Sequence, residues 1–337
     1  MRAWAIEQFG IPNLKLVERP EPNPGPGQVV VSVRALSLNY RDLLMVKGQY
    51  NPRLPLPRVP CSDGAGEIVA IGSGVTRVAI GDRVCGTFMQ RWPSGPLNDL
   101  AAKSTLGGDL DGTSSERIAL SEESVVKFPA HLSFEEAATL PCAAVTAWNA
   151  LVEGGLKAGE TVLIQGTGGV SIFALQIARM FGARVLVTSG SEEKLKRALS
   201  LGASAGVNYK TTPDWDKWAR SQTGGVGVDH VVEVGGAGTL ERSIKAVRTG
   251  GRIALIGVLS GTGTVNPMPI LMKAIYVRGI FVGSRSMFED MNRAFEQNQI
   301  RPVVDRTFAF AEFPKALEYL EAAGHFGKVV VRVENRV

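Results

Sequence analysis

The chain has 337 residues, of which 45% are hydrophobic and 20% charged, with three cysteines and a formal net charge of +5. These values are typical of a globular protein with room for two domains, and they exclude disulfide-rich and low-complexity classes. The basic residues are scattered without interleaved aromatics, and no apolar run is long enough to span a membrane, so we expect neither nucleic-acid nor membrane binding. The opening MRAWAIEQFG lacks a signal-peptide pattern, which predicts a cytoplasmic protein.

The first 124 residues are predicted to be mostly β-structure. Short β-rich stretches at 28–33, 67–71 and 83–84 alternate with turns rich in glycine and proline, such as EPNPGPG at 21–27. Many short strands separated by such turns predict a β-barrel-like domain.

From residue 133 the pattern changes to alternating strands and helices. Ser133 followed by Glu136 forms a capping box that predicts a helix start. The tail is predicted to add helices near 287–297 and 313–323 and a strand at 328–333. Before the tail, candidate strands lie at 161–165, 184–188, 230–234, 252–256 and 276–282, and candidate helices lie near 170–181, 192–201, 215–221 and 239–248. This alternation predicts an α/β domain with a doubly wound parallel sheet.

One turn in this region has the features of a nucleotide site. The stretch VLIQGTGGVSIFALQ at 162–176 reads as a buried strand, a glycine turn and a helix, with Ser171 in place of the last glycine of GxGxxG. Free N–H groups at such a helix start bind an anion. The βαβ context favours a dinucleotide site over the two alternatives, a tight structural turn and the glycine turn of a methyltransferase.

The end of the next strand indicates which dinucleotide binds. An NAD site usually places a carboxylate there, whereas this strand ends in Thr188, Ser189, Gly190 and Ser191, with Lys194 one turn later. Hydroxyls and a lysine suit a ribose 2′-phosphate, so the sequence favours NADPH over NADH.

Six stretches in order then carry a resemblance to a known family: NYRDLLMVKGQY (39–50), PCSDGAGEIVAIGSGV (60–75), GDRV (81–84), LPCAAVTAW (140–148), GTGGVS (166–171) and HFGKVVV (325–331). The chain resembles the zinc-free, quinone-oxidoreductase-like and alcohol-dehydrogenase-like branch of the medium-chain dehydrogenase/reductase superfamily. The resemblance implies a GroES-like β-barrel catalytic domain at 1–124 and 287–337. It also implies a Rossmann dinucleotide-binding domain at 125–286.

The zinc ligands of the metal-dependent members are mostly missing. Asn39 stands where the first cysteine falls, and Cys61-Ser62-Asp63 stands where the family has Gly-His-Glu, so only Cys142 keeps a candidate donor. The four-cysteine loop that holds a structural zinc is also missing. Because zinc prefers several thiolate and imidazole ligands, we expect no metal site. The three histidines, His131, His230 and His325, are expected to be structural.

The resemblance also implies roles for individual residues. Asn39 and Tyr50 are the expected catalytic residues, each able to donate a hydrogen bond to a developing oxyanion. Thr146 is expected to face the nicotinamide, Tyr209 the adenosine end and Lys328 the pyrophosphate. The full expected cofactor-binding set is Asn39, Thr146, Thr167, Gly168, Gly169, Val170, Ser171, Ser189, Gly190, Ser191, Lys194, Tyr209, Gly257, Val258, Phe281, Val282, Gly283 and Lys328.

These features predict a zinc-independent NADPH-dependent oxidoreductase that transfers hydride to a carbonyl, enone or quinone. Two alternatives stay open at this point: an NADP-binding protein with a structural or sensing role, and a zinc-dependent alcohol dehydrogenase, which the missing ligands disfavour. The expected partner is a small-molecule substrate. The apolar stretch YVRGIFVG at 276–283, at the expected edge of the sheet, predicts a homodimer.

Overall fold

A computed structural model describes residues 1–334 except Val258, Ser260 and Thr262. The chain forms two compact units, of which the first combines Met1–Val145 with Gly283–Val337 and the second is Thr146–Val282. The strands are β1 (Arg2–Ile6), β2 (Leu14–Glu18), β3 (Gln28–Leu38), β4 (Asp63–Ile71), β5 (Arg83–Gly86), β6 (Arg117–Ser121), β7 (Val125–Lys127), β8 (Thr161–Gln165), β9 (Arg184–Ser189), β10 (Ala205–Asn208), β11 (Val228–Glu233), β12 (Val247–Leu255), β13 (Tyr276–Gly279), β14 (Val304–Ala309) and β15 (Lys328–Arg332). The helices are α1 (Tyr40–Val46), α2 (Asp99–Ala102), α3 (Phe134–Ala137), α4 (Val145–Leu151), α5 (Gly169–Met180), α6 (Glu192–Ser200), α7 (Trp215–Ser221), α8 (Ala237–Ala246), α9 (Met268–Met272), α10 (Arg285–Gln297) and α11 (Phe313–Glu321), with a π-helical stretch at Leu140–Ala144.

The first unit is a GroES-like barrel that both ends of the chain build. Its seven-stranded sheet runs in the order β14-β15-β3-β4-β5-β7, with β6 also paired to β3. The C-terminal strand β15 lies antiparallel to β3, so that Val329 faces Leu38. Both residues are fully or almost fully buried in the same apolar cluster. This pairing brings the start of β15 beside the end of β3, where the chain turns into α1.

The second unit is a Rossmann fold. Its six strands run in the order β10-β9-β8-β11-β12-β13 and all pair in parallel. The apolar residues of the strands, among them Leu163, Val231 and Ile253, are buried under the flanking helices. The strand order reverses between β8 and β11, and in open parallel sheets nucleotides bind at the carboxyl ends of the strands at such a reversal.

The expected α/β class with barrel and Rossmann sheet is confirmed, while one predicted strand is too long. The strand expected at 276–282 ends at Gly279, because the chain leaves the extended conformation and Val282 adopts a left-handed φ of 57°. The expected domain boundaries at 124/125 and 286/287 stay predictions. The compact units change at Val145 and Gly283, and α3 packs on β3 and β4 of the barrel. No helix within the described ranges has the length and apolarity to cross a membrane.

Candidate functional site

A chain of buried polar side chains lies at the end of β3 in the first unit. Asn39 is the N-cap residue of α1 and is 9% exposed. Its Nδ2 donates to Ser62 Oγ at 3.4 Å, and Ser62 Oγ donates to Asp63 Oδ1 at 2.7 Å. The other carboxylate oxygen of Asp63 accepts from the backbone N–H of Cys142 at 3.1 Å. Asn39, Ser62 and Cys142 are the residues that the sequence aligned with zinc ligands. Hydrogen bonds that pass through the Asp63 carboxylate connect all three.

Lys328 adds a positive charge to this hydrogen-bonded cluster. Its ammonium donates to Asn39 Oδ1 at 2.6 Å and to the carbonyl of Leu38 at 2.7 Å, and the side chain is buried. Burial raises the pKa of Asp63, while Lys328 and the hydrogen bonds from Asn39 and Ser62 act to lower it. The ammonium of Lys328 therefore opposes the effect of burial on the Asp63 pKa and favours the ionised carboxylate.

Asp42 lies next to this chain on the first turn of α1. Its Oδ2 accepts from the backbone N–H of Asn39 at 2.8 Å, whereas its buried Oδ1 has no hydrogen-bond partner among the described residues. Burial raises the pKa of Asp42 to about 6, with Asp63 adding to the rise and Arg41 opposing it. A carboxyl group with an unsatisfied buried oxygen favours the protonated form.

The donors in this cluster do not match a zinc site. Ser62 donates its hydroxyl to Asp63, and the Asn39 carbonyl oxygen faces an ammonium that would repel a divalent cation. Burial and the Asp63 carboxylate raise the pKa of the Cys142 thiol, which disfavours the thiolate that zinc requires. Within the described part of the chain, no group of three or more His, Cys, Asp or Glu side chains is arranged to hold a metal ion.

Tyr50, the second expected catalytic residue, lies on an exposed turn after α1. Its ring is 46% exposed and stacks with the guanidinium of Arg41 at 5.5 Å, which also lies 4.7 Å from the ring of Phe88. Arg41 is held by hydrogen bonds to Leu106 O and Thr105 Oγ1. The tyrosine thus has a defined place on the surface of the barrel unit.

The glycine turn of the second unit fits a dinucleotide phosphate. Gly166 has a left-handed φ of 71°, and a side chain added at Gly168 would meet no atom within 4 Å. The helix α5 begins with Gly169 and Val170, and Thr167 precedes its N-cap residue Gly168. No side chain caps the helix. Its first N–H groups are therefore available to an anion. Ser171 Oγ donates to the carbonyl of Gln165 at 2.7 Å, so the serine ties the helix to the strand.

A buried glutamate supports this turn from the neighbouring strand, a feature that the sequence reasoning missed. Glu233, at the end of β11, is fully buried and accepts from Gln165 Nε2 at 2.6 Å and from Thr239 Oγ1 at 2.6 Å. It also accepts from Ser243 Oγ and from the N–H groups of Gly235 and Gly236. The Glu233 carboxylate thereby holds the two glycines that precede α8 and fixes the side chain of Gln165 beside the glycine turn.

The end of β9 gathers the residues expected to choose the cofactor. Ser189 is buried and its Oγ accepts from the N–H of Ser191, which caps α6 through its own hydroxyl. A side chain at Gly190 would lie 2.7 Å from Tyr209 Oη and 3.0 Å from Lys210 Cε, so both residues pack over this glycine. Lys194 lies on the first turn of α6.

Lys210 was not predicted, and it adds a cation to this end of the sheet. Its side chain is exposed, and its backbone N–H donates to Asn208 Oδ1 at 3.0 Å. The acidic residue nearest in sequence to the strand end, Glu192, accepts from Asn208 Nδ2 at 2.8 Å. The signal that could have revealed Lys210 is its place directly after Tyr209 at the end of β10.

The other expected cofactor residues lie at strand and helix ends. Thr146 is buried on α4, and a side chain at Gly257 would lie 1.9 Å from the carbonyl of Val234. Phe281 and Val282 follow β13, and the carbonyl of Val282 accepts from Asn149 Nδ2 at 2.6 Å. In the first unit, a side chain at Gly283 would clash with Val145 at 2.6 Å. Val258 lies outside the described residues.

Comparisons with known proteins now decide the family. Residues 25–130 match the model of the alcohol dehydrogenase GroES-like domain, and residues 169–297 match that of the zinc-binding dehydrogenases. The chain is 46% identical to a zinc-type alcohol dehydrogenase-like protein of Schizosaccharomyces pombe, over 97% of each chain. The chain belongs to the medium-chain dehydrogenase/reductase superfamily.

Two further members show the range of names in this superfamily. The chain is 29% identical to the human quinone oxidoreductase, and the match covers 98% of this chain and 97% of that protein. A solved structure of an NAD-dependent alcohol dehydrogenase superposes with a TM-score of 0.91 at 38% identity, over 99% of this chain and 100% of that one. As a medium-chain dehydrogenase/reductase, the protein is a pyridine-nucleotide-dependent oxidoreductase that acts on a small molecule.

Proposed function

We propose that this medium-chain dehydrogenase/reductase is a zinc-independent reductase that uses NADPH to reduce a carbonyl, enone or quinone. The observation that supports it most is the Lys328–Asn39–Ser62–Asp63 hydrogen-bond chain. This chain offers an amide donor where the zinc-dependent members need a metal. It leaves Cys142 as a lone candidate thiol.

Asn39 is the residue proposed to polarise the substrate. NADPH, when bound, supplies the hydride. Because Asn39 Oδ1 accepts from Lys328, its amide N–H groups are the atoms that can face a substrate oxygen. One well-placed donor to a developing oxyanion lowers the activation barrier by on the order of 3 kcal/mol. The hydroxyl of Tyr50 is proposed as a second donor, and water supplies the proton.

The proposed cofactor set follows the geometry of the second unit. The uncapped start of α5 would bind the pyrophosphate, and the hydroxyls at the end of β9 with Lys194, Tyr209 and Lys210 would bind the ribose 2′-phosphate. Thr146, Gly257, Val258, Phe281 and Val282 of this unit, and Gly283 of the first, are proposed for the nicotinamide half. The absence of a carboxylate from the strand end itself favours NADPH. The NAD dependence in the name of one relative belongs to that protein.

Steady-state assays test this proposal directly. Purified enzyme would be assayed for NADPH oxidation with menadione, methyl vinyl ketone and benzaldehyde, which represent a quinone, an enone and a simple carbonyl. We expect turnover of at least one, and a loss of kcat of about a hundredfold in Asn39→Ala. Asn298→Ala, at the surface end of α10, is the matched control. Tight NADPH binding without turnover of any substrate would instead favour a binding or sensing role.

A further inference from the structure

The Lys328 ammonium is directed into the barrel unit. The side chain is 3% exposed, and the nitrogen lies 2.7 Å from Leu38 O and 2.6 Å from Asn39 Oδ1. Its charge also acts on the buried Asp63 carboxylate. Two protein acceptors and a buried counter-charge therefore already hold a group that the family resemblance assigned to the cofactor pyrophosphate.

This contact fixes which way round the Asn39 amide stands. An ammonium can only donate, so the atom that faces it must be the amide oxygen. The nitrogen then points away, toward Ser62 Oγ at 3.4 Å. An amide whose oxygen accepts from a cation becomes a stronger N–H donor, because hydrogen bonds in a chain polarise one another.

We propose that Lys328 is a positioning residue that orients and polarises the Asn39 amide, and that it does not bind the cofactor phosphates. The inference rests on the proposed role of Asn39 as the donor to the substrate oxygen. Without the ammonium, the amide can turn over and present its oxygen to the substrate, which would repel a developing negative charge.

Lys328→Met tests the inference through the division between catalysis and cofactor binding. With menadione as the probe substrate, we expect kcat to fall at least about tenfold. The Kd for NADPH, measured by quenching of protein fluorescence, should change less than about twofold, because no contact with a phosphate is lost. Lys328→Arg should recover part of the loss, since a guanidinium still donates to Asn39 Oδ1. A large rise in Kd with kcat preserved would instead assign Lys328 to the pyrophosphate and overturn the inference.

A matched lysine controls for lost stability. Lys273 donates its ammonium to the carbonyl of Ile244 at the end of α8, far along the chain from the Asn39 cluster. Lys273→Met should lower the melting temperature and leave kcat unchanged. A kcat loss in this control equal to that of Lys328→Met would reduce the effect to stability and overturn the inference.

A double-mutant cycle separates the inference from the proposed function. If Lys328 acts through Asn39, then Lys328→Met has no further effect on kcat in an Asn39→Ala background. Additive losses would overturn the inference while Asn39 keeps its proposed role. If Asn39→Ala alone leaves kcat unchanged, the proposed function of Asn39 itself fails. Should Lys328→Met not fold by circular dichroism, the same cycle is run with Lys328→Arg.

Discussion

Asp42 makes the stability of the barrel unit depend on pH. Its pKa rises from an ordinary 3.8 to about 6, so the native state holds a proton that the unfolded chain loses between these values. The contribution of this group to the free energy of unfolding is therefore greatest below pH 4 and falls as the pH rises through 6. The loss at pH 7 is on the order of 3 kcal/mol.

Asp42→Asn should remove that pH dependence, because the amide is neutral throughout and its oxygen can still accept from the Asn39 N–H. The measurement is urea unfolding of wild type and variant from pH 4 to pH 7.5. We expect the variant to gain stability relative to wild type as the pH rises. Parallel curves for the two proteins would mean that Asp42 is ionised throughout this range in the native state.

Ser189 is the single residue most suited to a test of cofactor choice. The hydroxyls and lysines near it would give a 2′-phosphate charge-assisted hydrogen bonds of roughly 1.5–3 kcal/mol each. Because Tyr209 is 44% exposed, water competes for this site, and we expect a moderate preference of about tenfold to a few hundredfold for NADPH.

Ser189→Asp should reverse this preference, since it places a carboxylate where the phosphate would lie. Titration of wild type and of Ser189→Asp, each with NADPH and with NADH, gives four dissociation constants to compare. Lys210→Met serves as the companion variant and should weaken NADPH binding while NADH binding stays the same. Equal affinity of wild type for the two cofactors would contradict the reading of this strand end.

At the scale of elements, Ser171 links α5 to β8. Its hydroxyl donates to Gln165 O, a contact that the third glycine of the usual motif cannot make. Ser171→Ala should lower the free energy of unfolding by about 1 kcal/mol, the value of one buried hydrogen bond, and weaken NADPH binding. Ser200→Ala removes a similar serine bond from the exposed end of α6 and should change neither quantity. Chemical denaturation and fluorescence titration measure both effects.

The elements of the second unit were largely predictable, because each is built from local pattern. The strand expected at 161–165 coincides with β8, and the helix expected at 215–221 coincides with α7. In the first unit, the predicted capping box of Ser133 and Glu136 is also present, with Ser133 N donating to Glu136 Oε2 at 2.8 Å. Apolar periodicity and caps act within a few residues of the chain, which is why the sequence carries them.

The barrel and the polar cluster were less predictable, because their contacts join distant segments. The strands β1, β2 and β14 have no strong alternation and were missed. The turn-rich stretch 89–112 contains α2 and a buried Trp92 whose Nε1 donates to Gly95 O. The link from Lys328 to Asn39 depends on the register of β15 against β3, which no local pattern encodes.

At the scale of the whole molecule, the edge strand β13 favours association of two copies. It lies at one end of the six-stranded sheet. Tyr276 is 65% exposed, and Leu271 and Met272 on α9 are 73% and 75% exposed. An exposed strand edge with apolar neighbours pairs readily with its own copy. We expect a two-fold dimer in sedimentation velocity at micromolar concentration.

Tyr276→Asp should shift this dimer toward monomer by placing a charge on the edge. Leu100→Asp, at an equally exposed apolar position on α2, should leave it intact. A monomeric wild-type protein, or equal dissociation by the two variants, would contradict an interface at β13.

Metal content is a property of the whole purified protein. From the donors of the Asn39 cluster we expect well under one zinc per chain by inductively coupled plasma mass spectrometry. Dialysis against a chelator should leave NADPH oxidation unchanged. A stoichiometric zinc whose removal abolishes turnover would place the protein with the zinc-dependent alcohol dehydrogenases instead.

The pairing of β15 with β3 also has a consequence for how the protein is made. Lys328 and Asn39 are separated by 289 positions, so their contact closes one of the longest loops in the chain. Contacts of high sequence separation form late and slow folding, whereas the Rossmann unit is a continuous segment that a ribosome releases before β15. We infer that newly made chains acquire a folded nucleotide unit first, and that competence for reduction follows only when the last strand is inserted into the barrel.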